Sequence, residues 1–449
     1  MTLLPPVPTA APGPRSAELL AGYDKIFYPG LIGEGYPFVA RSRSGWTVTD
    51  VDGQVFVDLV SSSASVPMGA GRAEIVEPAA AALRSFGNED SHAVFHEWML
   101  PLAQRVLSLA PEGLTRVDIS LNGTESVETA VRVMRRATGR PVIIGFFGAY
   151  HGETTTTASL GAEQHEIGRE LRGLASGFVH VPYPNAYRNP FGEPRRGGTG
   201  DPWVDYLRDH VLFHLVDPSE VAGVIIEPIL GSGGVISPPD TFWPALTELC
   251  REYGWLFCLD EVKTGFGRTG EVFAADLWGL QPDLMCLGKA MGGGVMPIGA
   301  LLGTERALGG FGDLSTGSTW SWLPAACAAS LAYLDLLERE DVLSNVRALH
   351  QVAVDLLVPL VDTITAVGDV RVQGGFVGIE FVKDKATKER DLDLQDAVAE
   401  GCIKRGVLVV ASTTSLNIQP SLVMPPDAYA EALGRVLEAV QEAVDEATR

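Results

Sequence analysis

The chain has 449 residues, with 34 Lys and Arg against 56 Asp and Glu, a formal charge of −22. This acidity opposes phosphate backbones and anionic membrane surfaces, so nucleic-acid or membrane binding would require a local basic patch. With 46% hydrophobic and 20% charged residues the composition is that of a folded soluble protein, long enough for about three domain-sized units.

The N-terminal MTLLPPVPTAAPGPR lacks the basic and apolar regions of a secretory signal and reads as an extended, Pro-rich arm. No run reaches the ~18 apolar residues of a membrane helix, and a cytoplasmic location is expected. The five cysteines, Cys250, Cys258, Cys286, Cys327 and Cys402, are odd in number and form no CxxC pair. A disulfide framework or a zinc site is therefore not expected.

Trp46–Asp50 and Val55–Leu59 alternate in character around Asp52-Gly53, which predicts a hairpin. Four apolar runs then predict buried parallel strands: Val117–Ser120, Pro141–Phe147, Val221–Glu227 and Trp255–Asp260. A helix is expected from Asn122 to Arg136. Pro182–Pro202, rich in Pro, Gly and Arg, predicts a long loop. Beyond residue 340 helical periodicity marks 342–360, a strand-like run covers 375–381, and Leu433, Val436, Leu437, Val440 and Val444 share one face of a closing helix. The expected organisation is an arm and small-domain segment over 1–65, a large domain over 66–335 and a small α+β domain over 336–449.

Three segments carry chemistry. Asn122-Gly123-Thr124-Glu125-Ser126 joins a strand to a helix and offers free amides at a positive helix end. Alone, it reads more readily as an ordinary N-cap with a capping acid. Asp260-Glu261 ends an apolar strand, and a buried carboxylate there needs a partner, either a protonated ring nitrogen or local amides. Lys289 stands among apolar residues and glycines, where a lysine becomes a depressed-pKa nucleophile or snorkels to solvent. Together with the aromatic turn at Tyr150-His151-Gly152, the three make a set suited to pyridoxal 5'-phosphate (PLP).

On these motifs, and on Ile226-Glu227-Pro228, Asp260–Gly270, Pro282–Lys289 and Gly317–Trp320, the chain resembles the class III aminotransferases from about Gly45 to its end. The resemblance implies an α/β, PLP fold type I architecture: a large domain with a mostly parallel seven-stranded sheet plus a smaller α+β domain. It implies Lys289 as the Schiff-base lysine, Asp260 as partner of the pyridinium nitrogen, and Val262 and Tyr150 on the two ring faces. Gly123 and Thr124 are implied in the phosphate loop. Thr319 is implied to reach the phosphate of the second subunit of a homodimer, and Glu227 to be an inner-pocket acid.

Four departures bear on function. Lys263 stands where the family often has Gln, and is a candidate second acid or base. Gly231-Ser232-Gly233 lacks the usual acid. Asn417 replaces a carboxylate-binding Arg, and Trp320-Ser321-Trp322-Leu323 replaces Gly-Gly-Asn. Glu227, Trp322 and Asn417 are the candidate substrate contacts. The expected reaction moves an amino group between a primary amine, non-α-amino and of polycationic or aminoglycoside type, and an oxo acceptor. The alternative is an epimerase, mutase or lyase using Lys289 with Lys263.

Overall fold

The computed structural model describes residues 3–33, 35–88, 90–171, 173–194, 197–310 and 316–447. Contacts divide the chain into Ala73–Leu343 and a second unit made of Met1–Arg72 with Ser344–Arg449. The sequence placed these boundaries near 65 and 335.

The larger unit holds seven strands: β1 (Arg116–Ser120), β2 (Val142–Phe146), β3 (Phe178–Val181), β4 (Val221–Ile226), β5 (Leu256–Asp260), β6 (Leu284–Leu287) and β7 (Gly299–Gly303). Their spatial order is β1-β7-β6-β5-β4-β2-β3. β7 runs antiparallel to both neighbours and the remaining pairs are parallel. Every residue of β4, β5 and β6 is buried, as unbroken apolar runs covered on both faces require. The helix Gly123–Thr138 supplies part of that cover. Val127, Ala130, Val131 and Met134 recur at helical spacing and pack with Ile143, Ile225, Leu256, Cys258 and Leu301. Gly139, at φ 68°, ends the helix in the left-handed conformation.

The expected strands lie within one residue of β1, β2, β4 and β5; β3, β6 and β7 were not among those expected. Residues 182–201 of the predicted loop are irregular where described, and Pro202 opens the helix Pro202–Tyr206; Arg195 and Arg196 lie outside the described residues. All five cysteines are free and buried. Among the described residues no helix is long and apolar enough to cross a membrane.

In the smaller unit, Thr47–Asp50 and Val55–Asp58 pair antiparallel around Gly53. Val367–Gln373, Phe376–Asp384, Val410–Ala411 and Leu416–Ile418 form a further antiparallel sheet. The helix Pro426–Ala447 buries Leu433, Val436 and Val440 in the same core as Val377, Ile379 and Leu416. One segment departs from ordinary backbone. Ser61, Ser62, Ser63 and Ala64 take φ values of 48°, 52°, 55° and 67°, a left-handed turn made without glycine. Asp58 anchors its entry: one carboxylate oxygen accepts from the amides of Val60 and Ser61, and the other pairs with Arg43 at 2.8 Å.

Candidate active site

The site residues gather where the parallel strands of the larger unit end, the usual ligand edge of such sheets. Asp260 closes β5 and pairs in register with Cys286 of β6. Lys289 follows three residues later, on a short turn that begins after the extended Gly288. Its own φ is 42°, so the lysine is aimed from a backbone conformation that disfavours side chains. Gly288 is required by crowding: a Cβ there would lie 2.9 Å from the amide nitrogen of Gly123.

Asp260 is buried and fully engaged. Oδ2 meets His151 Nδ1 at 2.7 Å, and Oδ1 accepts the Val262 N–H at 3.0 Å. Burial lowers the imidazole's pKa, but the hydrogen bond and charge of Asp260, joined by Glu227, outweigh it and raise the pKa overall. The other imidazole nitrogen, Nε2, is buried with no partner among the described residues.

The helix Gly123–Thr138 starts beside this pair. Asn122 caps it, its side chain accepting from the Glu125 N–H at 3.0 Å. No described residue accepts from the amides of Gly123 or Thr124. A Cβ on Gly123 would meet Val262 Cγ1 at 2.6 Å, so Val262 lies over the bare backbone. Gly152, at φ 127°, brings the Tyr150 turn against this loop: a Cβ there would sit 2.5 Å from the Thr124 hydroxyl.

Glu227, just past β4, fastens the same turn. Its two oxygens accept from the amides of Tyr150 at 3.0 Å and Gly231 at 2.8 Å. Burial raises its pKa against the opposing charge of His151, with Asp260 adding to the rise. Lys263 packs its stem on Gly231, where a Cβ would touch Cδ at 2.7 Å. Burial and then the charge of Lys289 push the Lys263 ammonium down to about 7, against Glu227 and Glu163. Burial likewise depresses Lys289, against the pull of Asp260, Glu227 and Glu163.

The segment that carries Thr319 is tied to the helix start, because the Ser321 hydroxyl donates to Glu125 at 3.1 Å. Thr319 itself is exposed. The substrate role expected of Trp322 is corrected here. Its side chain is 1% exposed and its indole N–H donates to the Gly299 carbonyl at 2.7 Å, so Trp322 is core; Trp320 is the exposed indole. Asn417 belongs to the smaller unit. It is buried in Leu416–Ile418, its side-chain oxygen accepting from the Ser415 hydroxyl at 2.8 Å.

Sequence reasoning missed Glu163. It sits in an irregular stretch after Leu160, lines a cavity of about 520 Å³ with Phe147, Tyr150, His151 and Glu153, and is pushed up to about 7 by burial and then by Glu227. Nothing periodic marks it in sequence, because only the fold brings it toward the lysines.

These features fit PLP. Two unclaimed amides at a helix start suit its phosphate, Val262 and Tyr150 flank the loop, and a carboxylate and a lysine emerge from adjacent strand ends.

The class III aminotransferase family model matches residues 33–440. The alanine/serine racemase of Pyrococcus horikoshii is 29% identical, covering 98% of this chain and 93% of its own. The 4-aminobutyrate aminotransferase of Mycobacterium tuberculosis is 32% identical, covering 95% of each. An amine transaminase structure from an uncultivated Pseudomonas species, in its PLP-bound form, superposes with a TM-score of 0.83 at 31% identity, over 91% of this chain and 95% of its own. Fold, site chemistry and relatives agree: the chain belongs to the class III aminotransferases and is a PLP-dependent transaminase of fold type I.

Proposed function

We propose that the protein takes an amino group from a primary amine with no carboxylate on the reacting carbon, of diamine or amino-sugar type, and passes it to an oxo acceptor. The register that sets Lys289 three residues beyond the strand partner of Asp260 carries the catalytic part. The cavity supports the substrate part. Among its described lining residues it has Glu153 and Glu163 but no Lys or Arg to meet a carboxylate.

When bound, PLP supplies the carbonyl carbon that takes the amine and the electron sink that lets a carbon-bound proton leave. Gly123 and Thr124 hold the phosphate through the helix-start amides. Asp260, backed by His151, stabilises a proton on the ring nitrogen. Lys289 Nζ, with its pKa lowered by burial, would act as the base that takes and holds the proton of the substrate's reacting carbon. Glu227 positions Tyr150 through its backbone amide. In this reading the enzyme is a cytoplasmic homodimer, with Thr319 serving the partner's phosphate.

A second reading draws on Lys263, a half-buried amine pushed down to about 7 by burial and then by the charge of Lys289. Two lysines exchanging one proton would give epimerisation with no net transfer, and one relative is named an alanine/serine racemase. Mixing the holoenzyme with amine alone in heavy water separates the two. Conversion of the lysine-linked cofactor absorption to that of its amine form supports transfer. Proton exchange without that conversion overturns it.

A further inference from the structure

The mechanism leaves one acid unused. Glu163 is half-buried, and no described residue donates a hydrogen bond to it or lies within ion-pair distance. A carboxylate withdrawn from water is costly, and the charges of Lys263 and Lys289 offset burial only in part, so its place favours a further cation that arrives with a ligand. The cavity it lines has room for one, at about 520 Å³. Phe147 and Tyr150 contribute aromatic rings, and Glu153 stands exposed at the rim. Ring faces and carboxylates together are the surroundings an alkylammonium selects.

We propose that this cavity is a subsite for a second, non-reacting ammonium of the amine substrate, with Glu163 as its counter-ion and Glu153 at its mouth. The inference rests on the amine-donor reading above and names the residues that select among amines. It makes Glu163 a specificity-determining residue for diamines and for amino sugars with more than one amine.

The test uses the holoenzyme and the half-reaction with amine alone, at subsaturating 1,5-diaminopentane, 1-aminopentane or 5-aminopentanoate. The wild-type protein is expected to react faster with the diamine than with the monoamine. Glu163→Gln is expected to cut that ratio about tenfold, the loss of one charge-assisted contact. Glu163→Asp, which keeps the charge, should restore most of it, and Glu163→Lys should favour 5-aminopentanoate over the monoamine. Cofactor absorption of each variant confirms an assembled site. Equal wild-type rates for diamine and monoamine, or an unchanged ratio in Glu163→Gln, overturn the subsite while leaving the amine-donor reading intact. If neither amine reacts and α-amino acids do, the broader reading fails as well.

Discussion

His151 Nδ1 and Asp260 Oδ2 meet at 2.7 Å with both side chains buried, so the carboxylate that ends β5 has a partner within the protein. Because its folded pKa is raised above the unfolded value of about 6.5, His151 adds stability that is complete below that pH. The contribution is lost as pH rises through the higher folded value. His151→Asn should therefore flatten the decline in urea midpoint between pH 6 and pH 9. Equal declines in the two proteins would show that the imidazole is not held charged by Asp260.

Lys263 should appear in the kinetics. An ionisation near pH 7 is expected in kcat/KM, from the ammonium pushed down to about 7. Lys263→Gln should remove that limb and leave a profile governed by the remaining groups. Retention of the same inflection in the variant would assign it elsewhere.

Glu163, like His151, costs the fold stability as pH rises, here by gaining a negative charge. Its carboxyl is pushed up to about 7, so charging it penalises the folded state as pH climbs from about 4.3 to 7. Glu163→Gln is expected to match the wild-type urea midpoint at pH 4.5 and exceed it at pH 8. A variant no more stable at pH 8 contradicts this.

Gly152 and Gly139 form an internal comparison. A Cβ at Gly152 would meet Thr124 Oγ1 at 2.5 Å and Thr157 Oγ1 at 2.8 Å, at φ 127°; a Cβ at Gly139 would meet nothing within 4 Å, at φ 68°. Gly139→Ala should cost about 1 kcal/mol of backbone strain. Gly152→Ala should cost more, about 1–3 kcal/mol, and also weaken cofactor binding, because the intruding methyl displaces Thr124. Cofactor titration of both variants checks this: equal affinities would detach the Tyr150 turn from the phosphate loop.

Ser63 is exposed, at φ 55°, in the left-handed turn Ser61–Ala64. Glycine relieves about 1–2 kcal/mol of conformational strain there, offset by up to about 1 kcal/mol of chain entropy. Ser63→Gly is expected to raise stability by roughly 0.5–1 kcal/mol in a denaturant titration. A destabilised variant would mean the serine makes contacts that outweigh its backbone.

The sequence disclosed what is written in local pattern. β4 and β5 were visible because their residues are buried and, Asp260 apart, carry no charged or polar side chain, and the helix start at Gly123 because cap, glycine and acid stand together. β7 was not, since Gly299-Ala300-Leu301-Leu302-Gly303 is short and glycine-flanked, and its direction depends on neighbours remote in sequence. The two indoles at 320 and 322 could not be ranked from composition. A single left-handed residue, Trp322 at φ 54°, accompanies the turn that leaves one exposed and the other in the core. Glu163 lies in no periodic element, and its meaning comes from the cavity and the charged neighbours that only the fold assembles around it.

Glu125 has a consequence for how anions are admitted. An acid in the first turn of a helix stabilises the helix, yet its charge would compete with a phosphate for the same amides. Here one oxygen, Oε2, is claimed by the Leu121 amide and the Ser321 hydroxyl. The helix gains its electrostatic complement from a charge tethered elsewhere, and the amides of Gly123 and Thr124 keep their affinity for a dianion. The same tether fixes the threonine-bearing segment to the helix start, so one carboxylate both spares the amides and anchors a loop remote in sequence.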